Sequence, residues 1–105
     1  MPLINIKGRT IILGEDGFLA DPGSWDEEIA RLLADHEGSG QLNEEHMEIL
    51  HFIRRHWEKE GVPPSVRDIC KVMHISLKDL HDLFPLGATK GAYRLAGVPK
   101  PEGCL

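Results

Sequence analysis

The first twenty residues contain short apolar runs separated by polar and glycine-containing turns, a pattern typical of short β-strands. Leu3–Ile6 and Thr10–Leu13 are rich in β-branched residues, and Lys7–Arg9 lies between them as a turn. The pattern predicts a hairpin over about residues 3–20, with Phe18–Ala20 as a third short strand. A hairpin of this size is marginal in isolation, so we expect it to lie against helices.

Two longer helices are predicted next from apolar residues at helical spacing. Ser24 with Glu27 three positions later is a capping-box pattern, which predicts that the first helix begins at Ser24. Gly38–Gly40 ends it, and Asn43 begins a second helix that Gly61 stops. The apolar positions are Trp25, Ile29, Leu32 and Leu33 in the first helix and Met47, Leu50, Ile53 and Trp57 in the second.

Three shorter helices follow before the chain becomes rich in proline and glycine. Ser65 predicts a helix to about Met73, Ser76 predicts another to about Phe84, and a last one covers Ala88–Leu95. The fold class predicted is mainly α: a small orthogonal helical bundle with an N-terminal β-hairpin, a helix-turn-helix-like corner and an extended C-terminal arm.

Residues 97–105 differ in composition from the rest of the chain. Two prolines and two glycines in nine residues exclude a helix and favour a flexible extended arm that carries Cys104. We therefore expect a single helical domain over residues 1–96 and an arm over residues 97–105. At about 3.1 Å per residue, Cys104 would reach about 20 Å from Gly97.

Length, composition and charge narrow the class of protein. The chain has 105 residues, which fits one domain, and two cysteines, which argues against a disulfide scaffold. We find neither a signal peptide nor a membrane-length apolar run, and expect a cytoplasmic protein with reduced thiols. Residues 1–60 carry 6 basic and 13 acidic groups, whereas residues 61–105 carry 6 and 4. This balance argues against direct nucleic-acid binding and leaves a mildly basic C-terminal half.

Cys104 is the candidate nucleophile. Pro99 and Pro101 stiffen its segment, and Gly103 removes bulk beside the thiol. Lys100 would lower the pKa of the thiol, whereas the neighbouring carboxylates would raise it, so the net direction stays open. No rigid pocket is predicted around the thiol, which suits a carrier. The alternative is a frayed terminus that contains a cysteine by chance.

The other candidate chemistry is weaker. Cys70 lies on a predicted helix and is expected to pack as a small hydrophobe, with a reversible disulfide to Cys104 as the alternative. His46, His51 and His56 lie five residues apart, so their rings do not converge on one helix face, and we predict no metal site. We also predict no cofactor.

The helix-turn-helix-like corner spans Val66 to Phe84. Its second helix offers Lys78 and His81 for recognition, but Asp79 and Asp82 lie beside them and would repel phosphate. An ordinary helical corner is the favoured interpretation, and a DNA-binding regulator remains the alternative.

The chain resembles the DsrC/TusE family over nearly its whole length. The resemblance rests on Leu83–Gly87, Lys90–Ala92 and Ala96–Leu105, on Asp16–Leu19 followed by Trp25-Asp26-Glu27, on Leu42–His46, and on Ile53-Arg54 before Pro63-Pro64. The closing Lys-Pro-Glu-Gly-Cys is its most specific part. The resemblance implies a small helical protein with an N-terminal hairpin, whose penultimate cysteine carries sulfur as a persulfide.

This sequence departs from one branch of that family. DsrC proper has a second arm cysteine, and the matching position here is Tyr93. The resemblance therefore implies a single-cysteine, TusE-like sulfurtransferase-type carrier that relays sulfur toward 2-thiouridine in tRNA. A DsrC-like carrier or regulator in dissimilatory sulfur metabolism stays open.

The implied partners are an upstream persulfide-donor protein and a downstream sulfur-acceptor enzyme, either a tRNA thiouridylase or a sulfite reductase-type complex. Partner contacts are expected from Lys90 and Arg94, which precede the arm, and from Lys100, all of which can steer toward acidic surfaces. The alternative for these cations is a solvated face. The arm residues assigned to partner binding are Gly97, Pro99, Lys100, Pro101 and Gly103.

Overall fold

The computed structural model describes residues 3–6, 8–14, 16–38 and 40–99. Strand β1 (Leu3–Ile6) pairs antiparallel with β2 (Arg9–Ile12), and Leu3 lies opposite Ile12. Ile11 points into the core with 2% of its surface exposed. The predicted third strand is wrong: beyond β2 the pairing is reduced to one bridge between Leu13 and Leu19, because the chain then turns away toward Pro22.

Helix α1 covers Glu27–Glu37, and its start differs from the prediction. Ser24 closes a separate 3-10 turn, Pro22–Ser24, in which its hydroxyl donates a hydrogen bond of 2.7 Å to the carbonyl oxygen of Asp21. The N-cap of α1 is Asp26, whose carboxylate accepts a 2.9 Å hydrogen bond from the N–H of Ile29. The serine is therefore occupied in the turn, and a capping aspartate two residues later begins the helix.

Helix α2 covers Glu44–Glu60 and is bounded as predicted. The Asn43 side chain accepts from the N–H of His46, and Nδ1 of that imidazole accepts from the N–H of Asn43. Nε2 of the same ring lies 2.8 Å from the carbonyl oxygen of Leu83. Gly61 ends α2 in the left-handed conformation.

Helices α3 (Val66–Met73) and α4 (Leu77–Leu83) begin at the serine caps predicted for them. The last predicted helix is present with a different hydrogen-bond pattern. Ala88–Tyr93 is π-helical, and a short α-helical turn of Arg94 and Leu95 follows. The apolar spacing could not distinguish this wider coil from an α-helix.

The hairpin and all of the helices share one core, so the mainly α fold with an N-terminal hairpin is confirmed. Its fully buried side chains include Leu33, Ile49, Leu50, Ile53, Ile69, Tyr93, Leu95 and Val98. Within the described residues, no helix is both long enough and apolar enough to cross a membrane.

Candidate functional site

The cysteine predicted to react lies outside the described residues. Cys104, Lys100, Pro101 and Gly103 all fall in the segment 100–105, and Pro99 is the last residue that the structure describes. The geometry available is therefore that of the backbone immediately before this segment, residues 95–99, which we call the arm root.

The arm root remains packed further along the chain than the sequence indicated. Gly97 was expected in the arm, but it is buried, and Val98 has no exposed surface. Gly97 adopts φ +71°, and a Cβ added to it would lie 2.4 Å from Cδ1 of Trp25. Both its left-handed backbone and its contact with the indole require glycine. The packed body thus extends through Val98, and Pro99 is exposed.

Two polar side chains hold the arm root from opposite parts of the sequence. The indole Nε1 of Trp25 donates a 2.8 Å hydrogen bond to the carbonyl oxygen of Leu95. The Arg54 guanidinium donates through Nη1 to the carbonyl oxygen of Ala96 and through Nη2 to that of Pro22, each at 2.9 Å. The same guanidinium lies 4.6 Å from the centroid of the Trp25 ring. Sequence reasoning assigned neither residue to the site.

Their roles were difficult to see in the sequence. Trp25 was interpreted as an apolar position of the first helix, although it precedes the N-cap of α1. Arg54 enters the sequence-based prediction only as part of the family resemblance. One signal was present: Arg54 lies between Ile53 and Trp57 on the apolar side of α2, where an arginine needs buried partners.

Arg94 is not an exposed cation available for steering partners, so the expectation for this residue is corrected. Its side chain is 16% exposed, and it forms an ion pair with Glu37 at the end of α1. Its Nε also donates a 2.6 Å hydrogen bond to the carbonyl oxygen of Gly17. Burial lowers the pKa of the guanidinium. Arg94, the residue immediately before the arm root, therefore connects to the turn at Gly17 and to the end of α1.

Lys90, the other basic residue expected to contact partners upstream of the arm, lies in the π-helical segment, and its side chain falls outside the described part of the structure. The neighbouring Gly91 is buried against Phe84, and an added Cβ would lie 3.0 Å from that residue's Cβ. The segment that bears Lys90 is thus packed closely on the end of α4.

Tyr93 is a core residue. It has no exposed surface, and its hydroxyl donates a 2.6 Å hydrogen bond to the carbonyl oxygen of Pro64. Burial, together with the nearby Asp68 and Cys70, raises the pKa of the phenol to about 12. Cys70 itself is partly buried on α3 and packs against the core, as predicted. Its proposed disulfide with Cys104 falls outside the described residues.

The three histidines of α2 and the helix-turn-helix-like corner both lie within the described residues. Among the described residues, no group of three or more metal-ligating side chains converges. His51 instead lies 2.8 Å from a carboxylate oxygen of Glu27 and edge-on to Trp25. At the corner, Nζ of Lys78 lies 3.3 Å from a carboxylate oxygen of Asp82, and the carboxylate of Asp79 accepts a 3.1 Å hydrogen bond from the N–H of the N-cap Ser76. Helix α4 therefore presents a mixed-charge surface.

An open groove of about 890 Å³ lies between α1 and α2. Its apolar lining comes from Leu42, Met47 and Met73, and its charged lining comes from both acids and arginines. The lining includes no cysteine and no residue of the arm root. The groove is therefore not a site for sulfur chemistry by its own side chains.

Comparisons with known proteins agree with this geometry. The family model described as DsrC-like protein matches residues 5–105. A relative named sulfite reductase, dissimilatory-type subunit gamma, from Nitratidesulfovibrio vulgaris is 35% identical over 105 residues, which cover all of both chains. A relative named sulfurtransferase TusE from Pectobacterium atrosepticum is 34% identical over 110 residues, covering 98% of this chain and 100% of the relative.

Solved structures show the same fold. The oxidized gamma subunit of the dissimilatory sulfite reductase (DsrC) from Archaeoglobus fulgidus superposes with a TM-score of 0.86 at 42% identity, covering 99% of this chain and 100% of that one. DsrC from Allochromatium vinosum gives a TM-score of 0.82 at 33% identity, with coverage of 98% and 97%. This agreement in sequence and in fold shows that the chain belongs to the DsrC-like family.

Proposed function

We propose that this protein is a sulfur-relay carrier, which accepts a sulfane sulfur as a persulfide on Cys104 and passes it to an acceptor. Membership of the DsrC-like family and relatives named as a sulfurtransferase and a sulfite reductase subunit support this role. The assignment to Cys104 rests on the position of the other cysteine, Cys70. Cys70 packs against the core, so of the two cysteines of the chain Cys104 is the candidate for transfer.

The loading step is a thiol exchange. The Cys104 thiolate attacks the outer sulfur of the donor's persulfide, a new S–S bond forms, and the donor's S–S bond breaks. The donor leaves as a thiolate, and Cys104 retains the outer sulfur as its own persulfide. This exchange moves sulfane sulfur without net oxidation or reduction, so the loading step needs no redox cofactor.

Tyr93 supports the single-cysteine type of carrier. In the resemblance described above, this position holds the second arm cysteine of DsrC proper, and here it holds a buried phenol. Because Tyr93 has no sulfur atom, no disulfide or trisulfide can form between this position and Cys104. We therefore propose relay toward 2-thiouridine in tRNA, in the cytoplasm, with a persulfide-donor protein upstream and a tRNA thiouridylase downstream.

A second role is favoured by the comparisons. The relative that is 35% identical over its full length is named as a dissimilatory sulfite reductase subunit. Under this alternative the same Cys104 persulfide exchanges sulfur with a sulfite reductase-type complex. For either acceptor, Pro99, Lys100, Pro101, Gly103 and Lys90 stay proposed as partner-binding residues.

Intact mass spectrometry after exposure to glutathione persulfide tests the proposal. We expect whole-sulfur additions on the parent and on Cys70→Ser, and their loss in Cys104→Ser. Sulfur retained by Cys104→Ser, or absent from all three proteins, would contradict the carrier role. Salt-dependent binding to duplex DNA that survives Cys104→Ser would favour the DNA-binding alternative instead.

Acceptor assays separate the two roles. Protein loaded with radiolabelled sulfur is mixed with a tRNA thiouridylase, tRNA and ATP in one reaction, and with a dissimilatory sulfite reductase in another. Label in tRNA supports the thiolation relay, and label captured by the reductase supports the alternative. Cys104→Ser is the control in both reactions.

A further inference from the structure

We propose that Trp25 and Arg54 are positioning residues, which clamp the arm root and thereby fix where the segment bearing Cys104 leaves the packed body. The inference rests on the proposed role of Cys104 as the sulfur carrier. Neither side chain is proposed to touch the transferred sulfur.

The clamp acts on backbone carbonyl groups that lack a hydrogen-bond donor within the helix. The last carbonyls of a helix have no intrahelical N–H partner, and the α-helical turn of Arg94 and Leu95 ends here. The indole of Trp25 supplies a donor to the carbonyl of residue 95 at 2.8 Å, and Arg54 supplies one to the carbonyl of residue 96 at 2.9 Å. Two planar donors on consecutive carbonyls restrict the direction of the chain.

The same indole also closes the other side of the arm root. The Cα of Gly97 lies so near the indole that an added Cβ would approach Cγ and Cδ1 of Trp25 to 2.8 and 2.4 Å. The ring thus contacts the backbone and bonds to it within three consecutive residues. This combination holds the chain by shape as well as by hydrogen bonding.

Removing the charged guanidinium of Arg54 from water costs free energy, which indicates that the side chain has a specific structural role. Its side chain is 11% exposed, whereas its nearest carboxylate, Glu58, is 61% exposed and 3.9 Å away. The principal partners of the guanidinium are therefore two carbonyls and the ring of Trp25. An apolar side chain of similar volume would fill the space without desolvating a charge, but it could not orient the backbone.

Fixing the arm root limits where the thiol can be. Six residues follow Val98 up to and including Cys104, and at most about 3.3–3.6 Å per residue gives this length of chain a maximum span of roughly 22 Å. If the backbone of the arm root could take several directions, the thiol six residues further along would sample a larger volume. A fixed arm root raises the effective concentration of the thiol at a docked partner's site.

Distance measurements between two spin labels test the clamp without any partner. One label is placed on Cys104 and the other on Glu45→Cys, which is exposed near the start of α2, both in a Cys70→Ser background. We expect Arg54→Met and Trp25→Phe to give a distance distribution roughly 1.5-fold broader than that of the parent. Arg54→Lys can reach one carbonyl only and should give an intermediate width.

The matched control is Arg55→Met, which removes an exposed arginine from the next position of α2 and should leave the width unchanged. Circular dichroism and melting identify variants that stay folded, and Arg54→Lys and Trp25→Phe decide the matter where Arg54→Met does not fold. An unchanged distribution in the folded variants would overturn the proposal.

A kinetic measurement distinguishes positioning from an effect on thiol reactivity. Glutathione persulfide is small and needs no orientation of the chain, so the clamp variants should load Cys104 at the parent rate. Slower loading in proportion to the loss of stability would mean that the residues are merely structural, and would contradict the proposal. Failure of the parent to load sulfur would refute the proposed function, whereas the distance distributions would still report on the clamp.

Discussion

The Tyr93 hydroxyl donates a 2.6 Å hydrogen bond to the carbonyl oxygen of Pro64, 29 positions earlier in the chain. This bond joins the end of the π-helical segment to the turn before α3. It also explains how the chain accommodates a large polar aromatic residue with no exposed surface. The position is thus a structural one in this protein.

Replacing Tyr93 by Phe should destabilise the protein by about 1–3 kcal/mol, because the carbonyl of Pro64 loses its donor inside the core. Denaturant unfolding followed by circular dichroism measures this change. Equal stability of parent and variant would mean that water replaces the hydroxyl at Pro64. Loading of Cys104 by glutathione persulfide should be unchanged, since Tyr93 has no assigned part in the transfer.

The pH dependence of stability should also report on Tyr93. Burial raises the pKa of the folded phenol to about 12 from a usual value of 10.0. The contribution of the neutral Tyr93 phenol to the free energy of unfolding is therefore complete below pH 10, and it is lost as the pH rises from about 10 to about 12. Two pKa units correspond to about 2–3 kcal/mol.

The chain has one tyrosine, so tyrosinate absorbance reports this group alone. Unfolding free energies of the parent and of Tyr93→Phe should converge as the pH passes through this window, because lysine titration is common to both proteins. Parallel curves, or tyrosinate forming near pH 10 in the folded protein, would contradict the assignment.

Removing the Arg94 side chain should lower the free energy of unfolding. Arg94→Met eliminates the ion pair with Glu37, whose side chain is 7% exposed, and takes the donor from the carbonyl of Gly17. We expect a loss of about 2–4 kcal/mol in thermal or denaturant unfolding. The control is Arg31→Met, whose 53%-exposed side chain forms a 3.6 Å pair with Glu27. That change should cost less than about 1 kcal/mol.

A double-mutant cycle with Glu37→Gln tests the pairing directly. The coupling free energy between Arg94 and Glu37 should be about 1–3 kcal/mol. Additive effects would show that the loss in Arg94→Met arises from Gly17 and packing rather than from the ion pair.

The contact between Gly97 and Trp25 can be isolated by a pair of substitutions. Gly97→Ala places a methyl group against the indole and also strains a backbone with φ +71°, whereas Gly38→Ala adds a methyl in open space at φ +75°. The backbone strain is similar, about 1–2 kcal/mol. We expect Gly97→Ala to lose at least about 1 kcal/mol more than Gly38→Ala in unfolding experiments. Equal losses would mean that the indole moves aside freely.

The start of α1 can be tested by replacing its N-cap residue. Asp26→Ala removes the cap of the Ile29 N–H and the 2.9 Å ion pair with Arg9, and should cost about 1–2 kcal/mol. Ser24→Ala should cost less, because its hydroxyl serves the 3-10 turn only. The opposite ranking in urea unfolding would restore Ser24 as the cap.

Acid titration adds a second measurement on Asp26. The hydrogen bond from the N–H of Ile29, followed by that from Arg9, lowers the pKa of its carboxyl. Its contribution is therefore present above the unfolded pKa of about 4 and is lost as the pH falls through the lower folded pKa. Asp26→Ala should lose less stability than the parent below pH 4, and an identical acid slope in both proteins would contradict this.

Local signals in the sequence determined most of the secondary structure. Asn43, Ser65 and Ser76 are caps whose side chains bond to N–H groups three residues away, so their effect is readable without knowing the fold. Gly61 ends α2 for the equally local reason that glycine tolerates the left-handed conformation. The closing Lys-Pro-Glu-Gly-Cys carries the family resemblance, which points to Cys104 as the proposed sulfur carrier.

Tertiary structure decided which residues hold the arm root. The bond from Trp25 to Leu95 spans 70 positions, and that from Arg54 to Ala96 spans 42. No local pattern encodes such a pairing, because it depends on how α2 and the segment before α1 pack together. For the same reason, the contact of Gly97 with Trp25 and the ion pair of the largely covered Arg94 side chain with Glu37 are not readable from local sequence. Sequence determined where most of the helices begin and end and pointed to Cys104 as the proposed carrier, whereas packing determined where the chain leaves the body, because only packing brings distant donors to the last carbonyls of the helix.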